Sequence, residues 1–82
     1  MKACIMNANI RGCEAKTNKK GEGYLLVRYE DETGKPEVLI DKDMSRQPFY
    51  KRDVDMDLFI NIDIGKQFTT VRIVDAREIT RG

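Results

Sequence analysis

Between Val54 and Ile64 the chain alternates: Val54, Met56, Leu58, Ile60, Ile62 and Ile64 share one parity, Asp55, Asp57, Asn61 and Asp63 the other. Only extended backbone gives side chains a period of two, so this run is a β-strand with one dry face and one wet face. A lone strand cannot bury its dry face, and the rest of the chain must supply the partners.

The remaining segments read the same way. Residues 2–15 form a first strand, with Cys4, Met6, Ala8 and Ile10 on one parity and Gly12 where a long strand can bend or bulge. Tyr24 to about Glu30 is a second strand. A turn follows over Glu30-Asp31-Glu32-Thr33-Gly34-Lys35, and Pro36–Ile40 returns, with Val38 and Ile40 on one face. Pro36 has no N–H for a ladder and belongs at the first position of its strand. Residues 41–53 read as an irregular connection with one helical turn. Gly65-Lys66-Gln67 turns the chain, and Phe68 to about Ile79, rich in threonine, valine and isoleucine, is the last strand.

Five strands in 82 residues predict an all-β protein: a five-stranded antiparallel OB-like barrel or a strongly coiled sheet. The whole of 1–82 is expected to be one OB-like domain, with 79–82 as a frayed tail. So short a chain buries a small core and stands to gain from dimerising.

Composition narrows the chemistry. The chain has two cysteines and no histidine, short of a zinc set, and no cofactor is expected. It has no apolar run of about 18 residues and no signal-peptide pattern, which predicts a cytoplasmic protein with Cys4 and Cys13 as reduced thiols. Asp53-Val54-Asp55-Met56-Asp57 starts like a calcium loop, but Leu58 and Ile64 stand where that loop needs glycine and glutamate. Asp55 and Asp57 are expected on the wet face of their strand. With no nucleophile motif and no phosphate loop before a helix, nothing points to an enzyme.

The charge is uneven although the net value is +1. Residues 1–29 carry six basic and two acidic side chains, residues 30–63 five and ten, and residues 64–82 four and two. The densest basic stretch, Lys16-Thr17-Asn18-Lys19-Lys20-Gly21-Glu22-Gly23-Tyr24, suits a mobile positive loop. In the strand that follows, Tyr24, Leu26 and Arg28 share one face and Leu25, Val27 and Tyr29 the other, so one face can be core. The first face offers a ring, an apolar side chain and a guanidinium beside the lysines, as a surface that stacks bases and holds phosphates requires. Lys16, Lys19 and Lys20 are the candidate phosphate ligands, with Arg28, Lys66 and Arg72 behind them. The plainer alternative is a ring packed within the sheet beside a soluble hairpin tip. Phe68 either stacks on bases or caps the core; Phe49 and Tyr50 pin the connection to the barrel or form a dimer contact.

Three features together resemble the small single-stranded DNA-binding proteins of filamentous phages, the gene V proteins, and related OB-fold proteins of mobile elements. They are the basic loop Lys16–Lys20 running into Gly21-Glu22-Gly23-Tyr24-Leu25-Leu26, a hairpin close behind, and Ile64-Gly65-Lys66-Gln67-Phe68 leading into an apolar strand that ends Val74-Asp75-Ala76-Arg77. The resemblance implies that Tyr24 and Leu26 face DNA, that Phe68 stacks on or near bases, and that the protein is a homodimer. It implies sequence-nonspecific binding of single-stranded DNA in replication or transfer of a phage or mobile element. Single-stranded RNA would use the same surface. The family's hairpin tip carries another aromatic; here Asp31–Pro36 has none and is acidic. A protein-interaction module, pairing through its acidic middle and exposed strand edges, is the alternative from another class.

Overall fold

The computed structural model describes residues 1–79. Residues 80–82 of the expected frayed tail lie outside the described residues, and Ile79 is tied in, its N–H donating to the Asp55 carbonyl at 2.9 Å. The strands are β1 (Lys2–Thr17), β2 (Gly23–Glu30), β3 (Pro36–Asp41), β4 (Asp55–Ile64) and β5 (Thr69–Glu78), with a short 3-10 segment, Met44–Phe49, between β3 and β4. They close into a barrel in the order β1-β2-β3-β5-β4, the arrangement of an OB-like barrel.

Four ladders are antiparallel and the fifth, β3 with β5, is parallel through Ile40↔Arg72 and Asp41↔Ile73. Strands alternating in direction cannot close a ring of five, so the expected all-antiparallel barrel must contain one parallel contact. Here it is the shortest ladder.

The core is the dry face of β4 met by the inner faces of its neighbours. Ala8, Ile10, Leu25, Val27, Tyr29, Tyr50, Met56, Leu58, Ile60 and Ile73 form one buried cluster, packed against Ile5, Cys13, Leu39, Val54, Ile62, Val71 and Ala76. Each fully buried large apolar side chain contributes roughly 1.5–3 kcal/mol by leaving water. β4 follows its predicted parity until Ile64, which is 72% exposed because the β4–β5 hairpin runs past the end of the core.

β1 departs from the predicted parity. Ile5 pairs with Leu58 and Ala8 with Met56, so β1 carries an extra residue there, at Asn7, whose φ is +55°. The bulge inverts the strand, turning Ile5 inward and leaving Cys4 and Met6 exposed where Ala8 and Ile10 are buried. A second extra residue falls between Ile10↔Tyr29 and Gly12↔Arg28, at the bend expected near Gly12. These two bulges let one strand serve β4 with its first half and β2 with its second.

The connection after β3 is ordered by an ionic knot. Asp41, fully buried, accepts from Arg46 Nη1 at 2.7 Å, from the Tyr50 hydroxyl at 2.6 Å and from the Asp43 N–H at 2.9 Å. Arg46 also donates to the carbonyl of Val74, the extra residue of a bulge in β5. Asp43 caps the 3-10 segment by accepting from Ser45 N–H at 3.0 Å. Tyr50 thus pins the connection to the barrel, whereas Phe49 is 60% exposed.

Candidate nucleic-acid interface

Strand pairing fixes which side chains share the outer surface. Across β1, β2 and β3, Lys16 faces Tyr24, Glu14 faces Leu26 and Leu26 faces Ile40, and Gly12 faces Arg28 and Arg28 faces Val38. The middle row continues through Ile40↔Arg72 and Arg72↔Asn61. Directly opposed residues project to the same side, so Tyr24, Leu26, Val38 and Ile40 form an apolar strip bordered by Lys16, Arg28 and Arg72. Val38 is 51% and Ile40 38% exposed. On the inner parity of β2, Leu25, Val27 and Tyr29 are buried as expected; burial, with help from the charges of Glu37 and Asp31, pushes the Tyr29 hydroxyl above its ordinary pKa.

The basic stretch forms a hydrogen-bonded turn. Asn18 Oδ1 accepts from the N–H groups of Lys20 and Glu22, each at 2.9 Å; Asn18 N–H donates to the Glu22 carbonyl at 2.9 Å and Gly21 N–H to the Asn18 carbonyl at 3.0 Å. Gly21 takes φ +82°, which favours glycine. One Asx side chain thus organises the turn that carries Lys19 and Lys20, which directly precedes β2 and its Tyr24. Between turn and strip lies a groove of about 370 Å³ lined by Asn18, Glu22, Gly23, Tyr24, Ile40 and Lys42. Lys42 is not singled out from the sequence because the strand reads as ending at Ile40, with 41–53 as a connection. The signal for it is the period of two, which carries Val38 and Ile40 on to Lys42.

Two cations of the strip are engaged by one carboxylate. Glu14 is ion-paired and hydrogen-bonded to Arg28 Nη1, and its other oxygen lies 3.7 Å from Lys16 Nζ. The Arg28 hydrogen bond, then the Arg28 charge, hold the Glu14 carboxyl below the usual carboxylate range.

Lys66 and Phe68 sit apart. They lie in the turn between β4 and β5, closed by Gly65 N–H donating to the Phe68 carbonyl at 2.8 Å. β5 runs parallel to β3, so it starts at the Pro36 end of the barrel, whereas the Asn18–Glu22 turn closes the end where β3 finishes. Of the predicted residues, pairing thus unites Lys16, Tyr24, Leu26, Arg28 and Arg72, with Lys19 and Lys20 beside them, and does not link Lys66 and Phe68 to them. Phe68 caps no core, being 76% exposed.

The opposite wall is acidic but internally satisfied. Asp53 accepts from Arg11 Nη1 at 2.7 Å, Asp55 from Asn9 Nδ2 at 3.0 Å and Asp57 from the Asn7 N–H at 3.1 Å. Arg77 lies over Phe59, 5.8 Å from its ring centre. Cys4 and Cys13 are free, and burial, with the charges of Asp41 and Glu14, raises the pKa of the Cys13 thiol, which disfavours its nucleophilic form. Among the described residues no helix is long and apolar enough to cross a membrane.

The chain matches no protein-family model, no curated protein and no solved structure. Its class is therefore defined by its own geometry, an all-β closed five-stranded OB-like barrel with an aromatic and apolar strip bordered by cations.

Proposed function

We propose that the protein binds single-stranded DNA without sequence specificity, as a homodimer acting in the cytoplasm in replication or transfer of a phage or mobile element. One observation carries the reading: Tyr24, Leu26 and Ile40 stand in register on the outer face of β2 and β3, flanked by Lys16, Lys42, Arg28 and Arg72, beside a groove of about 370 Å³. Any base has a π-face to lay on Tyr24, for roughly 1–3 kcal/mol, and the neighbouring apolar side chains extend the platform. Lysine and arginine around the strip hold phosphates by charge, independently of sequence. The reaction is binding alone, and the protein is not an enzyme. Lys66 and Phe68 serve as a second contact for a strand long enough to pass from one end of the barrel to the other.

The alternative from another class is a protein-interaction module that pairs through the acidic middle and open strand edges: β1 pairs with β4 through its first half and with β2 through its second, and β3 meets β5 at two residue pairs.

The test is fluorescence anisotropy of labelled oligo-dT at two salt concentrations, with oligo-U and duplex DNA as competitors. Binding that weakens steeply with salt, prefers single strands over duplex and drops roughly 5- to 150-fold in Tyr24→Ala agrees with the stacking platform. Oligo-U competition reports RNA binding on the same strip. Absence of binding at low salt contradicts the proposal. Sedimentation at micromolar concentration tests the dimer.

A further inference from the structure

Glu14 stands in the middle row of the strip, directly across from Leu26, with its two oxygens turned to Arg28 and Lys16. No core contact calls for a carboxylate there: residue 14 points outward while Cys13 on one side packs on the core. Two oxygens bridging two cations on a base-stacking strip occupy the place that two oxygens of a phosphate would take.

We propose that Glu14 is an internal stand-in for a backbone phosphate, which the incoming strand displaces from Arg28 and Lys16; this inference rests on the single-stranded DNA reading. The consequence lies in the ion balance. An uncompensated cation that binds a phosphate releases about 0.7–0.9 counterion into bulk solution. A cation that first has to leave Glu14 exchanges one anion for another, and the freed carboxylate gathers the cation that the phosphate gives up. Binding in the wild type then shows a shallower salt dependence than the cations of the strip warrant. Glu14 also discriminates among ligands: an isolated anion gains little by replacing it, whereas a polymer tethered by Tyr24, Lys19, Lys20 and Lys42 presents its phosphate at high effective concentration.

The test compares wild type, Glu14→Gln and Glu32→Gln on labelled oligo-dT across about 50–200 mM salt. Glu32 sits on the turn between β2 and β3, where it accepts from Asn7 Nδ2, so its replacement changes net charge equally without freeing a cation of the strip. Expected for Glu14→Gln is binding tighter by roughly three- to tenfold at the low end, with a salt slope steeper by about one unit, while Glu32→Gln keeps the wild-type slope. If wild type binds and the Glu14→Gln slope is unchanged, or if Glu32→Gln steepens it equally, the stand-in is overturned and the binding reading remains. If wild type does not bind at low salt, both readings fall, whether or not Glu14→Gln binds.

Discussion

At the scale of single residues, Asp41 and Tyr50 organise stability while Tyr24, Lys42 and Glu14 organise the surface. Tyr50 gives its hydroxyl proton to a carboxylate that is fully buried. Burial first, then the Asp41 hydrogen bond, raise the hydroxyl's pKa, so Tyr50 stays the donor of the pair. Tyr50→Phe keeps the ring but leaves Asp41 short of a donor, which should cost about 1–3 kcal/mol in urea unfolding. Asp41→Ala should cost about 3–5 kcal/mol, because the largely buried Arg46 loses its close counter-charge and keeps only Asp43, 3.8 Å away, and the Val74 carbonyl. On the surface, Lys42→Ala should weaken oligo-dT binding with every sequence and flatten the salt slope by about one unit, measured by the same anisotropy titrations. Neither Asp41 nor Glu14 was legible in the sequence. Each depends on partners that only the fold brings into reach, Arg46 and Tyr50 for the first and Arg28 for the second, whereas Tyr24 and Leu26 were legible because they alternate with buried Leu25 and Val27.

At the scale of elements, two turns share one geometry with opposite charge. Asn18-Lys19-Lys20-Gly21-Glu22 and Asp31-Glu32-Thr33-Gly34-Lys35 each begin with an Asx side chain that accepts from N–H groups within the turn and place a glycine fourth, at φ +82° and +83°. Only the second is capped by a carboxylate, Asp31, where the first has the amide of Asn18. The Thr33 hydroxyl, then the Lys35 N–H, hold the Asp31 carboxyl below its ordinary range. A group whose folded pKa is depressed stabilises fully above its unfolded value, near 4, and loses that contribution as pH falls through the folded value. Amide exchange between about pH 5 and pH 2 should therefore show protection falling at Thr33 and Lys35 and unchanged at Lys20 and Glu22 relative to intrinsic rates. Gly34→Ala should cost about 1 kcal/mol from backbone strain alone, since nothing crowds the site. β2 and β4 were readable since each keeps one parity through its buried part. β1 was not, because the extra residue at Asn7 reverses its faces and leaves no mark in a sequence of mixed polarity.

At the scale of the molecule, closure of the barrel decides both stability and where a ligand can lie. The core is small and continuous, so Leu58→Ala, at a fully buried position opposite Ile5 and Ala76, should destabilise by about 2–5 kcal/mol, a large share of what an 82-residue chain has to lose. The single parallel ladder joins β3 to β5 and carries the outer row from Ile40 to Arg72, which puts a basic side chain of the last strand beside the apolar strip of the second and third. The same topology sends Lys66 and Phe68 to the far end. Strand count and turn chemistry sufficed to read the barrel class. Which basic segments converge depends on strand order, and no local pattern encodes it.

The proposed single-stranded DNA face is built from β2, β3 and the Asn18–Glu22 turn, and amide chemical-shift mapping during titration with oligo-dT locates where the strand lies. Shifts are expected to concentrate at Lys16–Leu26, Val38–Lys42 and Arg72, saturating together and receding with salt. Shifts confined to the acidic wall around Asp55 and Asp57, or none at saturating oligo-dT in low salt, would contradict the proposal.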